Sequence, residues 1–366
     1  MKILFAAPCS GVQGGMTRWT QHILEYYKQQ EDAHIAITLL DMGRSEFINI
    51  NMPAWKRVLN SFGDYQKILK KFHSEIHQNS YDILHLSSSA SISLIKDYIM
   101  ISLARRKNIK TIIHFHFGRI PELAIKNNWE WKLIKKIAIL TNQIVVLDNA
   151  SYNTLKHNGF NNVTIISNPI APNILDTIEQ NYYLKRKHGT ILFTGHVIKT
   201  KGVFELIEAC SQIRNIKLKL IGRITDDIKS KIDLQYKGQD WIEITGEMEF
   251  NKVIKEMMTC DIFALPTYSE GFPNVILEAM ATGCPIITTP VGAIPQILER
   301  DEQGEYGIFV EPQNSDMLKG AIVRLLHNEM LKKHLSINVK RRVTERYNIK
   351  IIFKQLKSLW ESLYTA

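Results

Sequence analysis

The chain has 366 residues, of which 45% are hydrophobic and 22% are charged, as in ordinary soluble globular proteins with room for two cores. Its four cysteines are widely separated and include no Cys-x-x-Cys pair, which argues against a zinc cage or a disulfide scaffold and fits a reducing cytoplasm. The opening MKILFAAP is too short an apolar run for a secretory signal, and no stretch reaches the length of a membrane-spanning helix, so we expect a cytoplasmic protein.

Short apolar runs alternate with segments of helical periodicity along the whole chain. In the first half, helical spacing at 16–28, 55–78 and 129–140 separates six predicted strands, at 2–8, 34–41, 82–88, 111–117, 143–148 and 163–167. The second half repeats the scheme with predicted strands at 190–195, 216–222, 242–246, 261–266, 285–289 and 307–311. Nearly continuous apolar strands separated by helices predict parallel sheets covered on both faces. The expected fold class is therefore α/β, with two doubly wound, Rossmann-like domains facing a central cleft.

The polar stretch 171–189 contains no predicted strand and is the natural linker between the domains. We expect a first domain at 1–170 and a second at 190–349, with a terminal helix at about 350–366 that returns to complete the first. In open α/β sheets, ligands bind beyond the carboxyl ends of the strands, so the cleft is the expected site.

The net charge of +10 is unevenly distributed, because residues 1–168 carry 20 Lys and Arg against 12 Asp and Glu. Basic clusters at 104–110 and 131–140 are either solvated helix faces or a surface that attracts anions. No helix-turn-helix, zinc-finger or RNP motif is present, so we expect peripheral contact with a membrane surface rather than nucleic acid.

The segment DIFALPTYSEGFPNVILEAMA, 261–281, runs from a predicted buried strand through a polar turn into a helix. Free backbone N–H groups at the start of that helix suit an anion such as phosphate. Glu270 precedes these groups and Glu278 lies one to two turns inside the helix. Ionised carboxylates accept hydrogen bonds from sugar hydroxyls. The alternative is that Glu270 only caps the helix and Glu278 is an exposed helix residue.

The stretch EGFPNVILEAMATGCPIITTPVGAIPQIL is similar to the E-x7-E segment of family 4 glycosyltransferases, which are retaining enzymes of the GT-B fold. It departs from the family pattern at Pro-Thr before the motif and at Phe-Pro-Asn-Val within it. GRI after the strand at 216–222, ITGEM at 244–248 and GIFVEPQ at 307–313 follow in the family's order. The resemblance implies a nucleotide-sugar donor in the second domain and a glycan or lipid-linked acceptor in the first.

The resemblance assigns roles in the second domain residue by residue. It implies that Glu270 lies beside the transferred sugar and that Glu278 holds the ribose. Lys201, in FTGHVIKTKG, matches the lysine that clamps the donor diphosphate, but His196 stands where the family usually has arginine. Either the clamp is weaker, the phosphates protonate His196, or Lys199 supplies the missing charge. The remaining donor-side candidates are Met248, Gly271, Phe272, Pro273, Asn274 and Val275.

In the first domain, Gly14 and Gly15 follow the first strand and precede a helix, as a tight turn or a ligand loop would. The resemblance favours the ligand loop, which passes beside the donor. It also places His116, at the carboxyl end of its strand, beside the reacting sugar, whereas His114 is expected to be structural. The acceptor-side candidates are Arg18, His85 and Arg119.

We therefore expect a retaining glycosyltransferase with Glu270, His116 and Lys201 as catalytic residues, using a UDP-sugar in preference to a GDP-sugar. The chain contains no Asp-x-Asp triplet, so neither a metal nor another cofactor is expected. Surface polysaccharide or glycoconjugate assembly at the inner face of the cytoplasmic membrane is the expected setting. A nucleotide-sugar epimerase of the same architecture and a non-catalytic nucleotide-sugar-binding protein are the alternatives.

Overall fold

The structure, a computed structural model, describes residues 1–11, 14–30, 34–43 and 54–365, and only the backbone of residues 54–62. Residues 12 and 13 of the predicted glycine loop, the side chains of residues 55–62 in the predicted helix 55–78, and residue 366 lie outside this description. The chain divides into two compact units. The first comprises Met1–Pro169 and Ile349–Ala366, and the second comprises Ile170–Asn348.

The first unit is built on one parallel sheet. Its strands are β1 (Lys2–Ala7), β2 (Ala36–Asp41), β3 (Ile83–Ser88), β4 (Lys110–Phe115), β5 (Gln143–Val146) and β6 (Val163–Ile165). They lie in the order β2-β1-β3-β4-β5-β6, with Leu4, for example, opposite both Thr38 and Leu84. Strand β2 is added on one side of β1, and β3 to β6 are then added in turn on the other side. The boundary between β1 and β3 is thus the topological switch point, where doubly wound sheets bind ligands.

Helices cover both faces of this sheet. They are α1 (Gly15–Gln29), α2 (Ala54–Gln78), α3 (Ser93–Arg106), α4 (Ile120–Lys126), α5 (Trp129–Leu140), α6 (Asn149–His157) and, from the end of the chain, α15 (Ile349–Thr365). One core packs Leu4 and Ile113 against side chains such as Phe72 and Trp131. The core on the other face includes Phe5, Trp19 and Trp360. Successive strand residues point to opposite faces, so apolar runs without alternation fill both cores.

The second unit is built on another parallel sheet of six strands. They are β7 (Thr190–Thr194), β8 (Lys217–Ile221), β9 (Ile242–Gly246), β10 (Ile262–Leu265), β11 (Ile286–Thr288) and β12 (Ile308–Phe309). The order is β12-β11-β10-β7-β8-β9, so the switch point lies between β7 and β10. The predicted α/β class with two doubly wound domains is confirmed.

The helices of the second unit are α7 (Pro172–Gln180), α8 (Val203–Ser211), α9 (Asp226–Tyr236), α10 (Phe250–Thr259), α11 (Asn274–Ala281), α12 (Ile294–Leu298), α13 (Ser315–Leu326) and α14 (Glu329–Arg346), with a short 3-10 turn at Lys199–Lys201. The stretch 171–189 differs from the predicted linker, because its first half is α7. This helix buries Ile174 and Thr177, and the Thr177 hydroxyl lies 3.3 Å from the side-chain oxygen of Asn251 in α10. None of the helices in the described ranges is both long and apolar enough to cross a membrane.

Candidate active site

Two loops meet at the switch point of the second unit, one after β7 and one after β10. The backbone N–H of Tyr268 donates to the carbonyl of Thr200 at 2.9 Å. The hydroxyl of Thr267 lies 3.3 Å from the same carbonyl. These hydrogen bonds hold together segments that lie almost 70 residues apart, at the edge of the sheet where ligands bind in this class of fold.

The contact between the two loops ends in an ion pair. The Nζ of Lys201 lies 2.5 Å from Oε1 of Glu270, and their side chains are 25% and 13% exposed. Both charges are therefore largely withdrawn from water, which strengthens their attraction and leaves each dependent on the other. Two of the three residues predicted to be catalytic are thus brought together here.

Two glycines allow the backbones of these loops to approach. A methyl group on Gly202, where φ is +69°, would lie 2.0 Å from the carbonyl oxygen of Pro266. A methyl group on Gly292, where φ is +58°, would lie 2.2 Å from the carbonyl oxygen of Glu270. Left-handed backbone and close approach are both reasons for glycine. The next residue, Ala293, donates its N–H to the carbonyl of Gly271 at 2.9 Å. The loop after β11 therefore supports Glu270 from the other side.

The helix that follows, α11, begins at Asn274 with Pro273 as its N-cap. The ring of buried Phe272 lies 6.0 Å from that of Tyr347 and anchors the turn before the helix. Ile276 N–H donates back to the carbonyl of Pro273 at 3.1 Å, which closes the first turn of α11. Glu278 is half-buried, one turn further along α11.

His196 lies in the turn directly after β7 and is exposed. The N–H of Val197 donates to the carbonyl of Arg223 at 2.9 Å. Arg223, which is also exposed, begins the loop after β8, so its side chain leaves the backbone next to the turn that holds His196. Met248 is half-buried in the loop after β9. Sequence reasoning missed Arg223 and Gly292, although both follow predicted strands and a survey of every strand end would have included them.

In the first unit, the loop after β1 is fixed by Asp41 at the end of β2. Oδ1 of Asp41 accepts from the backbone N–H groups of Cys9 at 2.8 Å, Ser10 at 3.3 Å and Gly43 at 2.8 Å. Burial alone would raise the pKa of Asp41, but hydrogen bonds from Ser10, Cys9 and Gly43 outweigh it, and the pKa is lowered. The carboxylate therefore remains charged and holds the loop that leads to the glycine pair.

The glycine pair begins α1. Gly14 is its N-cap with extended backbone, φ −150° and ψ 179°, and Gly15 is its first residue. Apart from its chain neighbours, no atom of the described residues lies within 4 Å of the position that a methyl group on Gly14 would occupy. The extended backbone at Gly14 does not itself require glycine, and the ligand-loop role of the pair stays a prediction. Arg18 is exposed one turn into the helix.

Three aromatic side chains form a hydrogen-bonded chain behind the strands of the first unit. Nε1–H of Trp360 donates to Nδ1 of His85 at 2.9 Å, and Nε2 of His85 lies 3.3 Å from Nδ1 of His114. Since Nδ1 of His85 accepts, its proton is on Nε2, and His114 in turn carries its own proton on Nε2. Burial lowers the pKa of His85 to about 3 and that of His114 well below its usual range. His114 is structural, as expected.

His85 is completely buried and both of its ring nitrogens are occupied by this chain. The structure therefore does not support the predicted acceptor-side role of His85. Its position near the end of β3 suggested a ligand contact, but its side chain points into the core that α15 covers. Arg119, the other strand-end candidate, is 44% exposed and lies 3.6 Å from the carboxylate of Glu130.

His116 lies one residue beyond β4 and is half-buried. Its ring stacks on His114 with 4.0 Å between centroids, and the ring of Trp19 lies 4.5 Å away. Burial lowers the pKa of His116 to about 3, so the imidazole is neutral near pH 7. Its Nε2 is buried and has no hydrogen-bond partner among the residues that the structure describes. A neutral imidazole with an unused ring nitrogen is ready to bind a hydroxyl group.

Two units, each built on a parallel doubly wound sheet, are the architecture of the GT-B fold. The family description Glycosyltransferase Family 4 matches residues 13–173, and Glycosyl transferases group 1 matches residues 188–328. The chain belongs to this family of glycosyltransferases.

Individual proteins are similar to this chain in sequence or in fold. The capsular polysaccharide biosynthesis glycosyltransferase CapM of Staphylococcus aureus is 28% identical over 247 residues, which are 66% of this chain and 61% of CapM. Sucrose-phosphate synthase from Thermosynechococcus elongatus has a similar structure, with a TM-score of 0.76, 17% identity and coverage of 100% of this chain and 99% of that one. Anabaena HepE in complex with UDP-glucose gives a TM-score of 0.69 at 18% identity, covering 99% of this chain and 100% of that one.

Proposed function

We propose that this chain transfers a sugar from a nucleotide-diphosphate sugar to a glycan or lipid-linked acceptor in surface polysaccharide or glycoconjugate biosynthesis. The observation that carries the proposal is the ion pair between Lys201 and Glu270 at the switch point between β7 and β10. A UDP-sugar is the favoured donor and a GDP-sugar the second choice, since the similar HepE structure holds UDP-glucose. The polysaccharide setting is supported by the similarity to CapM.

The donor is proposed to replace the contact between Lys201 and Glu270. The diphosphate accepts hydrogen bonds from the ammonium group of Lys201, and a sugar hydroxyl donates to the carboxylate of Glu270. The ion pair satisfies both buried charges until the donor arrives. Glu278 is proposed to accept from the ribose hydroxyls. The N–H groups of Asn274 and Val275 add the positive end of the α11 dipole near the phosphates.

The family usually has an arginine at position 196, where this chain has histidine. We propose that Arg223, in the loop after the neighbouring strand β8, takes the role of that arginine. Arg223 lies beside this turn, as shown by the hydrogen bond between Val197 N–H and the Arg223 carbonyl. A guanidinium binds phosphate through two parallel hydrogen bonds, which an imidazole cannot reproduce. Arg223 would therefore restore bidentate binding that His196 alone lacks.

The reaction is proposed to proceed with retention at the anomeric carbon. The bond from that carbon to the diphosphate oxygen breaks first, while Lys201 and the start of α11 stabilise the charge on the leaving group. The acceptor hydroxyl then attacks from the same face, and the leaving phosphate takes its proton. Glu270 and neutral His116 hold sugar hydroxyls as the oxocarbenium-like transition state forms. In other transferases a divalent cation can neutralise the charge on the leaving diphosphate. Here Lys201 and the start of α11 are proposed to do so, and we therefore propose a reaction without metal or other cofactor.

The acceptor side is proposed to work at an anionic membrane surface, and α5 supplies the contact. Its buried side packs Trp131, Ile134 and Ile137 into the core. The exposed side carries four residues spaced three or four apart: Trp129, Lys132, Lys136 and Ile139. Trp129 is 50% exposed and Ile139 is 69% exposed. Apolar and cationic side chains mixed on one helix face are typical of binding at a lipid interface.

The neighbouring helix α3, which packs against α5, also carries exposed apolar side chains, Ile95 and Ile99. Lipid headgroups of the cytoplasmic leaflet are anionic and attract such cations. We therefore propose that the enzyme works in the cytoplasm at the inner face of the membrane, where lipid-linked acceptors are presented.

The first test is a thermal-shift screen of the purified chain with UDP, GDP, ADP, UDP-glucose and GDP-mannose. We expect the uridine compounds to raise the melting temperature most, and Lys201→Ala to abolish the shift while Lys199→Ala retains it. No shift with any nucleotide, or an unchanged shift in Lys201→Ala, would overturn the donor site.

The second test follows turnover of UDP-glucose with and without a bacterial membrane lipid extract, and with and without EDTA. Transfer predicts UDP release that depends on the extract and survives EDTA. Epimerised donor without release would identify an isomerase, and binding without turnover would identify a non-catalytic protein. Inversion at the anomeric carbon of the product would contradict the retaining mechanism.

A further inference from the structure

Two buried thiols of the second unit lie against each other. Cys260 is the C-cap of α10 and Cys284 lies two residues before β11, and both are free and almost completely buried. Their Sγ atoms are 3.0 Å apart. A disulfide has an S–S distance of about 2.05 Å, so bond formation needs a movement of only about 1 Å.

Backbone pairing fixes this proximity. Strands β10 and β11 are parallel neighbours with Phe263 opposite Ile286, and Phe263 N–H donates to the carbonyl of Pro285 at 2.9 Å. Each cysteine precedes its strand by two residues. The two thiols are therefore held side by side by the sheet itself rather than by mobile loops.

The groups around the two sulfurs shift their pKa values in opposite directions. The guanidinium of Arg186 donates from Nη1 to the carbonyl of Cys260 at 2.7 Å and from Nη2 to the carbonyl of Thr282 at 3.1 Å. Burial raises the pKa of Cys284, but its hydrogen bond with Cys260 and the charge of Arg186 outweigh burial and Asp261, so that pKa is lowered. Burial, the Cys284 sulfur and Asp261 raise the pKa of Cys260. The two thiols therefore differ in acidity, and Cys284 is the more acidic member of the pair.

The other two cysteines lack this arrangement. Cys210 is buried, and burial alone raises its pKa. Cys9 is half-buried, and burial and the charge of Asp41 raise its pKa. Both pKa values are raised, so Cys284, whose pKa is lowered, is the expected nucleophile.

We propose that Cys260 and Cys284 form a peroxide-sensitive dithiol that closes to a disulfide. The Cys284 thiolate attacks one oxygen of hydrogen peroxide, the O–O bond breaks, and Cys284 sulfenic acid and hydroxide result. The Cys260 thiol then attacks the sulfur of the sulfenic acid, the S–O bond breaks, and hydroxide leaves. The proton that Cys284 released to form its thiolate and the proton of the Cys260 thiol convert the two hydroxides to two waters. The two thiols together lose two electrons, and one peroxide gains them.

The bond would act on the end of α11. That helix ends at Ala281, and Gly283 N–H donates to the carbonyl of Met280 just before Cys284. A disulfide ties this end to the start of β10 and limits its local opening. The inference is independent of the proposed transfer reaction, because it concerns only the chemistry of the two thiols.

The test treats the folded chain with hydrogen peroxide, followed by thiol titration and peptide mass spectrometry. We expect loss of two of the four thiols, a Cys260–Cys284 crosslinked peptide, and recovery with a dithiol reductant. Cys210→Ser, the matched control at another buried cysteine, should still form the crosslink. Cys260→Ser should stop at a Cys284 sulfenic acid that dimedone captures.

Three results would overturn the proposal. They are an unchanged thiol titre, equal oxidation of Cys9 or Cys210, and capture of a sulfenic acid at Cys260 rather than Cys284. Hydrogen exchange tests the structural effect, with slower exchange expected at residues 280–282 after oxidation. Unchanged exchange there would contradict the constraint on α11.

Discussion

Lys201 and Glu270, which are 69 residues apart in the sequence, meet through a 2.5 Å contact between ammonium and carboxylate. The family resemblance assigns these side chains to different parts of one ligand, the phosphates and the sugar. In the structure each is the partner of the other. The donor binding proposed above would therefore exchange one set of charge contacts for another instead of burying two unpaired charges.

Removing either member of this pair should abolish transfer while the fold persists. Lys201→Ala and Glu270→Ala each remove a group proposed to act on the transition state, so we expect activity to fall by roughly 100- to 1,000-fold. Sugar transfer from UDP-glucose is the measurement, with circular dichroism to confirm folding. Lys199→Ala, an exposed lysine in the same turn, is the control and should lose far less. Near-normal turnover in either main variant would refute the site.

The close contact between Gly202 and the Pro266 carbonyl should destabilise a Gly202 variant beyond the effect of its left-handed backbone alone. Gly202→Ala adds left-handed strain of about 1–3 kcal/mol and forces a methyl group against the Pro266 carbonyl. Gly238→Ala is the matched control, because φ there is +80° but no atom lies within 4 Å of the methyl position. We expect the free energy of unfolding to fall more in Gly202→Ala, with loss of UDP binding only in that variant. Equal destabilisation would show that the loops can separate without cost.

Arg223 and His196 should behave as alternatives for one phosphate-binding function. Arg223→Ala should weaken UDP binding by about 10- to 100-fold, the usual effect of losing a charge-assisted hydrogen bond. His196→Arg in that background should recover part of the loss, because it restores a guanidinium at the neighbouring position. Calorimetric titration with UDP measures both effects. If Arg223→Ala binds UDP normally, Arg223 is not part of the clamp.

Buried neutral histidines should make the first unit sensitive to acid. The pKa values of His85 and His114 are lowered in the folded chain, so the unfolded chain takes up protons first as the pH falls. The stabilisation from His85 is complete above about pH 6.5 and is lost as the pH falls toward about 3, and that from His114 is also lost as the pH falls below about 6.5. Each should contribute a slope of up to about 1.4 kcal/mol per pH unit to the unfolding free energy.

Urea unfolding between pH 6.5 and 4.5 measures this slope in the wild-type chain and in His114→Phe. The variant should have a shallower slope, whatever its absolute stability. His157→Gln, at an exposed histidine of α6, serves as the control and should leave the slope nearly unchanged. A slope that His114→Phe does not change would mean that His114 is not the acid-sensitive group.

The exposed face of α5 should bind anionic vesicles. Charge reversal at Lys132 and Lys136 removes two cations worth about 1 kcal/mol each, so affinity should fall at least roughly thirtyfold. Sedimentation with phosphatidylglycerol vesicles measures this, and added salt should weaken the wild-type interaction. Reversal of exposed Lys229 and Lys231 in α9 is the control for net charge. Equal losses in both double variants would indicate a general charge effect, and no vesicle binding by the wild type would exclude the membrane contact.

Continuous apolar runs between turn residues predicted all twelve strands within about two residues, because strands buried on both faces have a strong local signal. The contact between Lys201 and Glu270 could not be predicted from spacing, since it depends on strand order. For the same reason, strand position alone suggested a ligand contact for His85. Its burial depends on Trp360, which is 275 residues away. A local signal for α7 was present and overlooked, since Pro172 occupies the first turn and apolar Ile174 and Leu175 follow.

The return of α15 to the first unit sets an order of events during synthesis. Leu356 and Trp360 complete the core around Phe5, yet they are translated after the whole of the second unit. The second unit, Ile170–Asn348, is continuous in sequence and can close its own core as it leaves the ribosome. Helix α1 contributes Trp19 and Ile23 to the same core, so the amino-terminal unit keeps only the part of this face that α15 covers open until α15 emerges. The part of the chain that is made first is therefore the part that finishes folding last.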